Sequence, residues 1–239
     1  MQSLSNSTLA QIVTQNFRSA AVFEKYGLDF CCKGKRTLED ACSEKKIQPD
    51  ELIKELESAM KEPSATITPS ELPPAELVEY ILNNHHAYVS RELPQIMAYL
   101  HKVTAKHGPH HPELYRIFET FQAVKAELEQ HMLKEEQVLF PSIKMLAFAE
   151  QKNRDVAAGF PFIKDAISVM EQEHDAAGAG MEQIRELTSN YTPPAGACTT
   201  YQLMYASLKA FETDLHQHVH LENYVLFPAA IRLQEEQPL

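Results

Sequence analysis

The chain has 239 residues and a formal net charge of −11, a length that can bury a sizeable core in one or two domains. That charge excludes a general nucleic-acid binder and a protein drawn to anionic membranes. No apolar run approaches the roughly 20 residues needed to span a bilayer. With 7 Gly, no Trp, long stretches rich in Leu, Glu, Ala and Lys, and no strand alternation, the sequence reads as all-α. The amino-terminal residues lack the basic and apolar segments of a secretory signal, and 4 Cys do not make a disulfide framework. A reducing compartment, the cytoplasm, is expected.

In chain order, residues 1–60 are expected to form a small helical unit. Ser7 or Thr8 can cap a helix running to about Lys25. The loop Tyr26-Gly-Leu-Asp-Phe-Cys31-Cys32-Lys-Gly-Lys-Arg36 follows. Thr37-Leu-Glu-Asp40 resembles a capping box, and Pro49 opens another helix to about Met60. Residues 61–74 read as a Pro-rich linker, which makes the two parts separable. Residues 75–239 then carry four long helical patterns. These run from about Ala75 to Lys106 with a kink at Pro94, from Pro112 to Ala149 with Pro141 disturbing the last turns, from Phe160 to Ser189, and from Thr199 to Gln234. Gly108-Pro109, Gly159 and Pro193-Pro194-Ala195-Gly196 separate them. Four antiparallel helices form an up-down bundle, a scaffold on which inward side chains build di-metal centres.

Two of these helices carry the same pattern: His131-Met-Leu-Lys-Glu135-Glu-Gln-Val-Leu-Phe-Pro141 and His218-Val-His-Leu-Glu222-Asn-Tyr-Val-Leu-Phe-Pro228. Positions i and i+4 share a helix face, so each segment sets an imidazole beside a carboxylate. The expected stripes around them are apolar: Val124, Leu128, Val138 and Leu139 on one, Phe211, Leu215, Val225 and Leu226 on the other. A carboxylate in such a stripe needs a cation or strong donors. One such pair reads equally well as a surface feature; two copies with matched downstream spacing do not. A cage of imidazole and carboxylate suits iron or manganese better than a thiol-loving metal. The other two helices add His85-His86 and His107, and His174. Neighbours such as His85 and His86 cannot both point at one centre. His101, His110 and His111 read as surface or loop residues, and His216 and His220, at i±2 from His218, point elsewhere.

With these residues placed, the four-helix portion resembles the hemerythrin-like family. The whole chain resembles the iron–sulfur cluster repair di-iron proteins, the RIC family. The resemblance rests on Phe-x-Lys-Tyr-x-x-Asp-Phe-Cys31-Cys32-x-Gly-Lys, on the two His-to-Glu segments, on Glu173-His174-Asp-x-Ala-Gly and on Pro193-Pro-x-x-Ala-Cys198-Thr-Thr. It implies two non-haem irons per chain, oxo- or hydroxo-bridged when oxidised. Their ligands would be His86, His107, His131, His174 and His218, with Glu135 and Glu222 bridging. His86 is preferred to His85 by its distance from Pro94, and His107 is placed by spacing alone. The implied function is repair of clusters damaged by nitrosative or oxidative stress, by donation of iron, with damaged iron–sulfur proteins as partners. The alternatives are a di-iron enzyme reducing nitric oxide or reacting with peroxide, and a carrier or sensor of oxygen or nitric oxide. A homodimer is compatible with all three.

Cys31 and Cys32 are expected to serve thiol transfer or docking. Adjacent α-carbons lie 3.8 Å apart across a trans peptide, below the usual disulfide span of about 4.4–6.8 Å. Lys33, Lys35 and Arg36 are expected to lower the thiol pKa values. Cys42 and Cys198 read as packing residues.

Overall fold

The computed structural model describes residues 4–61, 68–152 and 163–236. Part of the Pro-rich stretch (62–67), the Gly159 loop and the expected helix start at Phe160 lie outside the described residues. Among those described there is no strand, only an isolated bridge between Thr8 and Thr37, and no helix is long and apolar enough to cross a membrane.

The amino-terminal unit contains α1 (Leu9–Gln15), α2 (Ser19–Tyr26), α3 (Leu38–Lys45) and α4 (Pro49–Lys61). Thr8 caps α1 in a capping box with Gln11, and Thr37 caps α3 by accepting the Asp40 N–H. The single helix expected to reach Lys25 is broken in two. Asn16 adopts extended backbone, φ −149° and ψ 102°, and its Oδ1 accepts the Arg18 N–H at 3.1 Å. A short amide side chain that bonds the local backbone competes in this way with helix continuation.

The bundle has four arms: α5 (Pro74–Ile81) with α6 (Ala87–His107), α7 (Glu113–Lys134) with α8 (Phe140–Lys152), α9 (Ile163–Leu187), and α10 (Thr199–Leu221) with α11 (Phe227–Glu235). Within each two-part arm the helices are joined by a five-residue π turn: Leu82–His86, Glu135–Leu139 and Glu222–Leu226. Each turn closes with a bond five residues long, from Ala87 N–H to the Leu82 carbonyl, Phe140 to Glu135, and Phe227 to Glu222. In the second and fourth arms proline comes next. Pro141 and Pro228 have no N–H to offer and would crowd the carbonyl four residues back, so the turn before them widens instead of the helix ending. No proline adjoins the first π turn, and α6 runs on through Pro94. The extra residue shifts the register beyond each turn. Val138, expected on the inward stripe, is therefore 55% exposed, while Leu139 and Phe140 are buried.

Two apolar cores result. One joins Leu9, Phe23, Phe30, Leu38, Leu52 and Leu56 of the amino-terminal unit to Leu100, Phe121, Met181, Leu208 and Phe211 of the bundle. The other gathers Leu77, Ile81, Phe140, Ile143, Ile167, Leu226 and Phe227 at the far end. The described part of the amino-terminal unit is thus part of the bundle's packing. Phe30, with no exposed surface, meets the rings of His216 and His220 at 6.0 and 5.6 Å. Phe30→Ala is expected to cost about 3–5 kcal/mol, and denaturant unfolding should show both units lost in one transition, because their core is shared.

Candidate metal centre

Between the two cores lies a polar layer. His86 ends the first π turn; His131 sits in the last turn of α7, with Glu135 opening the next π turn; His174 is mid-α9; His218 and Glu222 repeat the α7 arrangement at the end of α10. All six are buried, with Glu135 and Glu222 at 0% exposure. They form two groups that share both carboxylates: His86, His218, Glu135 and Glu222 in one, His131, His174, Glu135 and Glu222 in the other. Glu135 Oε2 lies 3.3 Å from Nε2 of both His86 and His131. Glu222 meets Nε2 of His218 at 2.9 Å, of His174 at 3.1 Å and of His86 at 3.9 Å.

The opposite ring nitrogens explain why these atoms need a cation. His131 Nδ1 faces Glu173 Oε2 at 2.9 Å, His174 Nδ1 faces Asn223 Oδ1 at 2.8 Å, and His86 Nδ1 faces Glu136 Oε1 at 2.8 Å. An acceptor oxygen holds the proton on Nδ1 and leaves Nε2 as a lone pair. The Nε2 atoms of His131 and His174 nevertheless stand 2.9 Å apart. Two lone pairs at that distance are tolerable only with a proton or a metal ion to share. Nε2 of His86, both oxygens of Glu135 and Oε2 of Glu222 are buried without hydrogen-bond partners, a costly state unless a cation satisfies them. The donor set fits a cation with nitrogen and oxygen preferences.

Without such an ion, protons take its place. Burial disfavours charge on His86 and His131, but Glu135 and Glu222 overcome it and raise His86 to about 10 and His131 to about 9. Burial also pushes Glu222 up, yet His218, His174 and His86 hold it well below the usual carboxylate range. Burial outweighs Glu222 at His218, whose pKa is lowered, and the neighbouring His86 and His85 add to the effect.

His107 is not brought to this layer. It ends α6, roughly 30 Å along the axis from His86 at 1.5 Å per residue, where it contacts Cys198 Sγ at 3.5 Å and the Tyr201 ring at 5.5 Å. Spacing from Pro94 put it in the right helix at the wrong end. His85 stacks on His218 at 5.4 Å and turns Nδ1 to Asp214. His216 turns to Glu24, and His220 lies 3.3 Å from the Thr14 hydroxyl. The polar residues that orient the rings, Glu136, Glu173 and Asn223, escaped the sequence reading. A signal was available: Glu136 and Asn223 occupy the same place after Glu135 and Glu222 in the two matched segments.

Cys31 and Cys32 lie beside this centre. Cys32 Sγ is 3.6 Å from the His174 carbonyl, and Asn223 Nδ2 donates to the Cys31 carbonyl at 3.4 Å. The expected lowering of thiol pKa fails at Cys31. Burial pushes that thiol well up, and the neighbouring Cys32 and Asp29 add to the effect, while two of the three basic side chains are engaged elsewhere, Lys33 by Glu182 and Arg36 by Glu44.

Two outcomes test the centre. Glu222→Ala should lose bound metal, whereas His107→Ala should retain it, as read by metal analysis of the purified proteins. Loading the metal-free protein must displace the protons on His86 and His131. Apparent affinity should therefore strengthen as pH rises, about tenfold per pH unit for each proton displaced, up to about pH 9, in competition with a chelator of known pH dependence.

Residues 5–60 match the ScdA_N family, described as a domain of unknown function (DUF542), and residues 77–230 match the Hemerythrin HHE cation binding domain. The chain is 34% identical over 221 residues to the iron-sulfur cluster repair protein ScdA of Staphylococcus haemolyticus, covering 92% of this chain and 96% of that one. It is 36% identical over 227 residues to the iron-sulfur cluster repair protein YtfE of Pectobacterium atrosepticum, covering 95% and 97%. The YtfE protein of Yersinia pestis is 35% identical over the same extent. An ScdA_N unit packed on a hemerythrin bundle, whose buried His and Glu residues form a cation site, places this chain in the family of the ScdA/YtfE iron–sulfur cluster repair proteins.

Proposed function

We propose that the chain holds two non-haem irons, one in each carboxylate-sharing group, and returns iron to iron–sulfur clusters damaged by nitrosative or oxidative stress in the cytoplasm. The observation that carries this reading is the pairing of a buried four-His, two-Glu centre with a cysteine loop hydrogen-bonded to its edge. Four imidazoles and two shared carboxylates hold iron(II) less firmly than a thiolate cage does, so iron can pass to a cysteine-ligated acceptor. His86, His131, Glu135, His174, His218 and Glu222 hold the cargo. Glu136, Glu173 and Asn223 keep the lone pairs of His86, His131 and His174 aimed at it. Cys31 and Cys32 stand at the His131/His174 group, where departing iron would meet a client. Nitric oxide and oxygen belong to this reading as small ligands of the iron pair. Val138, Met145 and Phe148, apolar side chains exposed on one arm, support a homodimer.

Iron-loaded protein incubated with a peroxide-damaged iron–sulfur enzyme should restore its activity while losing iron, and a strong iron(II) chelator added as a trap should abolish the recovery. Cys31→Ala/Cys32→Ala should keep the iron of the His/Glu centre, and its visible spectrum, yet slow recovery several-fold. Recovery that proceeds equally well with iron-free protein would remove the donor role.

A further inference from the structure

The cysteine loop contains a second set of converging ligands, beside the His/Glu centre but sharing no residue with it. Oδ1 of Asp29 accepts the backbone N–H groups of Cys31 and Cys32 at 3.1 and 2.9 Å and the Cys31 thiol at 3.3 Å. The two sulfurs stand 3.6 Å apart, both free, and the three potential ligand atoms lie within 4.8 Å of one another. We propose that Asp29, Cys31 and Cys32 form a third cation site, a preformed clamp of two thiols and one carboxylate for a single thiophilic divalent ion.

The separations fit such an ion. With metal–sulfur bonds of about 2.3 Å, a tetrahedral centre holds its sulfurs about 3.8 Å apart, and with a metal–oxygen bond of about 2.0 Å its oxygen lies about 3.5 Å from each sulfur. The loop already has 3.6 and 3.3 Å. The backbone donors fix the carboxylate in place, so the ligands need little rearrangement. The charges also balance. Binding breaks two S–H bonds, forms two metal–sulfur bonds and releases two protons without a change of oxidation state. The formal charge of the cluster stays at −1, so no new net charge is buried at Cys31. Three protein ligands leave one tetrahedral corner for exchange, unlike the closed four-ligand sites that serve structure alone.

The surroundings make room for it. A Cβ at position 178 would come within 3.1 Å of Cys32 Sγ, so Gly178, one turn past His174 on α9, admits the sulfur. Cys32 touches the His174 carbonyl, and Asn223 bonds both the His174 ring and the Cys31 carbonyl. The clamp therefore touches the His131/His174 group directly at His174 and through Asn223. Use of the clamp as a stop for iron leaving that group rests on the proposed repair function; cation binding does not.

Full-length protein with its His/Glu centre loaded should be titrated with cadmium(II), following ultraviolet thiolate-to-cadmium absorption together with proton release. One equivalent should saturate the absorption and release two protons. Cys32→Ser should abolish the band. Asp29→Asn, which keeps an oxygen to accept the two N–H groups, should weaken binding at least tenfold while circular dichroism shows an intact fold. A wild-type protein with no thiolate band, a band that survives Cys32→Ser, or an affinity indifferent to Asp29→Asn would each overturn the site. Normal repair by a Cys32→Ser protein without the band would overturn the stop on the iron's path alone. A band intact in protein that repairs nothing would support the clamp and count against the repair reading.

Discussion

Glu135 and Glu222 have no surface exposed to water, and the rest of the molecule is arranged around that fact. Two carboxylates this close, this deep in a helix bundle, repel each other and have lost their hydration. Six buried side chains converge because positive charge must be supplied between them. Protonated imidazoles can supply it, and so can metal ions. The apolar cores on either side keep water from competing for the ligands. The outer carboxylates Glu136 and Glu173 and the amide of Asn223 prevent the rings from turning away.

The amino-terminal unit packs directly against this centre. Its apolar side chains complete the upper core, and its cysteine loop rests on the backbone of His174 and on Asn223, which orients the His174 ring. A residue such as Asn223, with one end on a ligand ring and the other on the loop, gives the loop a direct mechanical connection to the His131/His174 group. The His86/His218 group has no corresponding bond to the loop among the described residues, so the two halves of the centre differ in their surroundings even though they share their carboxylates.

Much of this was legible in the residues. The duplicated His-to-Glu spacing marked Glu135 and Glu222 because helical periodicity is local: four residues along a chain put two side chains on one face whatever surrounds them. The same locality revealed the Thr8 and Thr37 caps. Where a conclusion depended on long-range packing the sequence was weaker. His107 satisfied a spacing rule, but nothing in the chain says which end of a 21-residue helix lies level with Glu135 and Glu222. The Cys31 thiol was expected to follow its basic neighbours, whereas burial, the adjacent Cys32 thiol and the Asp29 carboxylate set its behaviour. The inward stripe failed at Val138 because ordinary helical phase was carried across a π turn. Pro141, after Leu-Phe in a helix that continues, was the available hint.

The π turns have a consequence for how the gene can change. Each contains one residue more than an α-helical turn would use, at a ligand. Deleting any one residue from 136–138 or 223–225 would let the helix close with ordinary bonds. It would also draw Pro141 or Pro228 one residue nearer the glutamate in an ordinary helix, where the ring crowds the carbonyl four residues back. An insertion would exceed what the π turn absorbs and rotate everything beyond by about 100°. Surface loops absorb changes of length readily, but these segments, continuous and helical, tolerate substitution far better than a change of length. Single-residue gaps among descendants of this chain should accumulate in the junctions between arms and be absent beside the two glutamates.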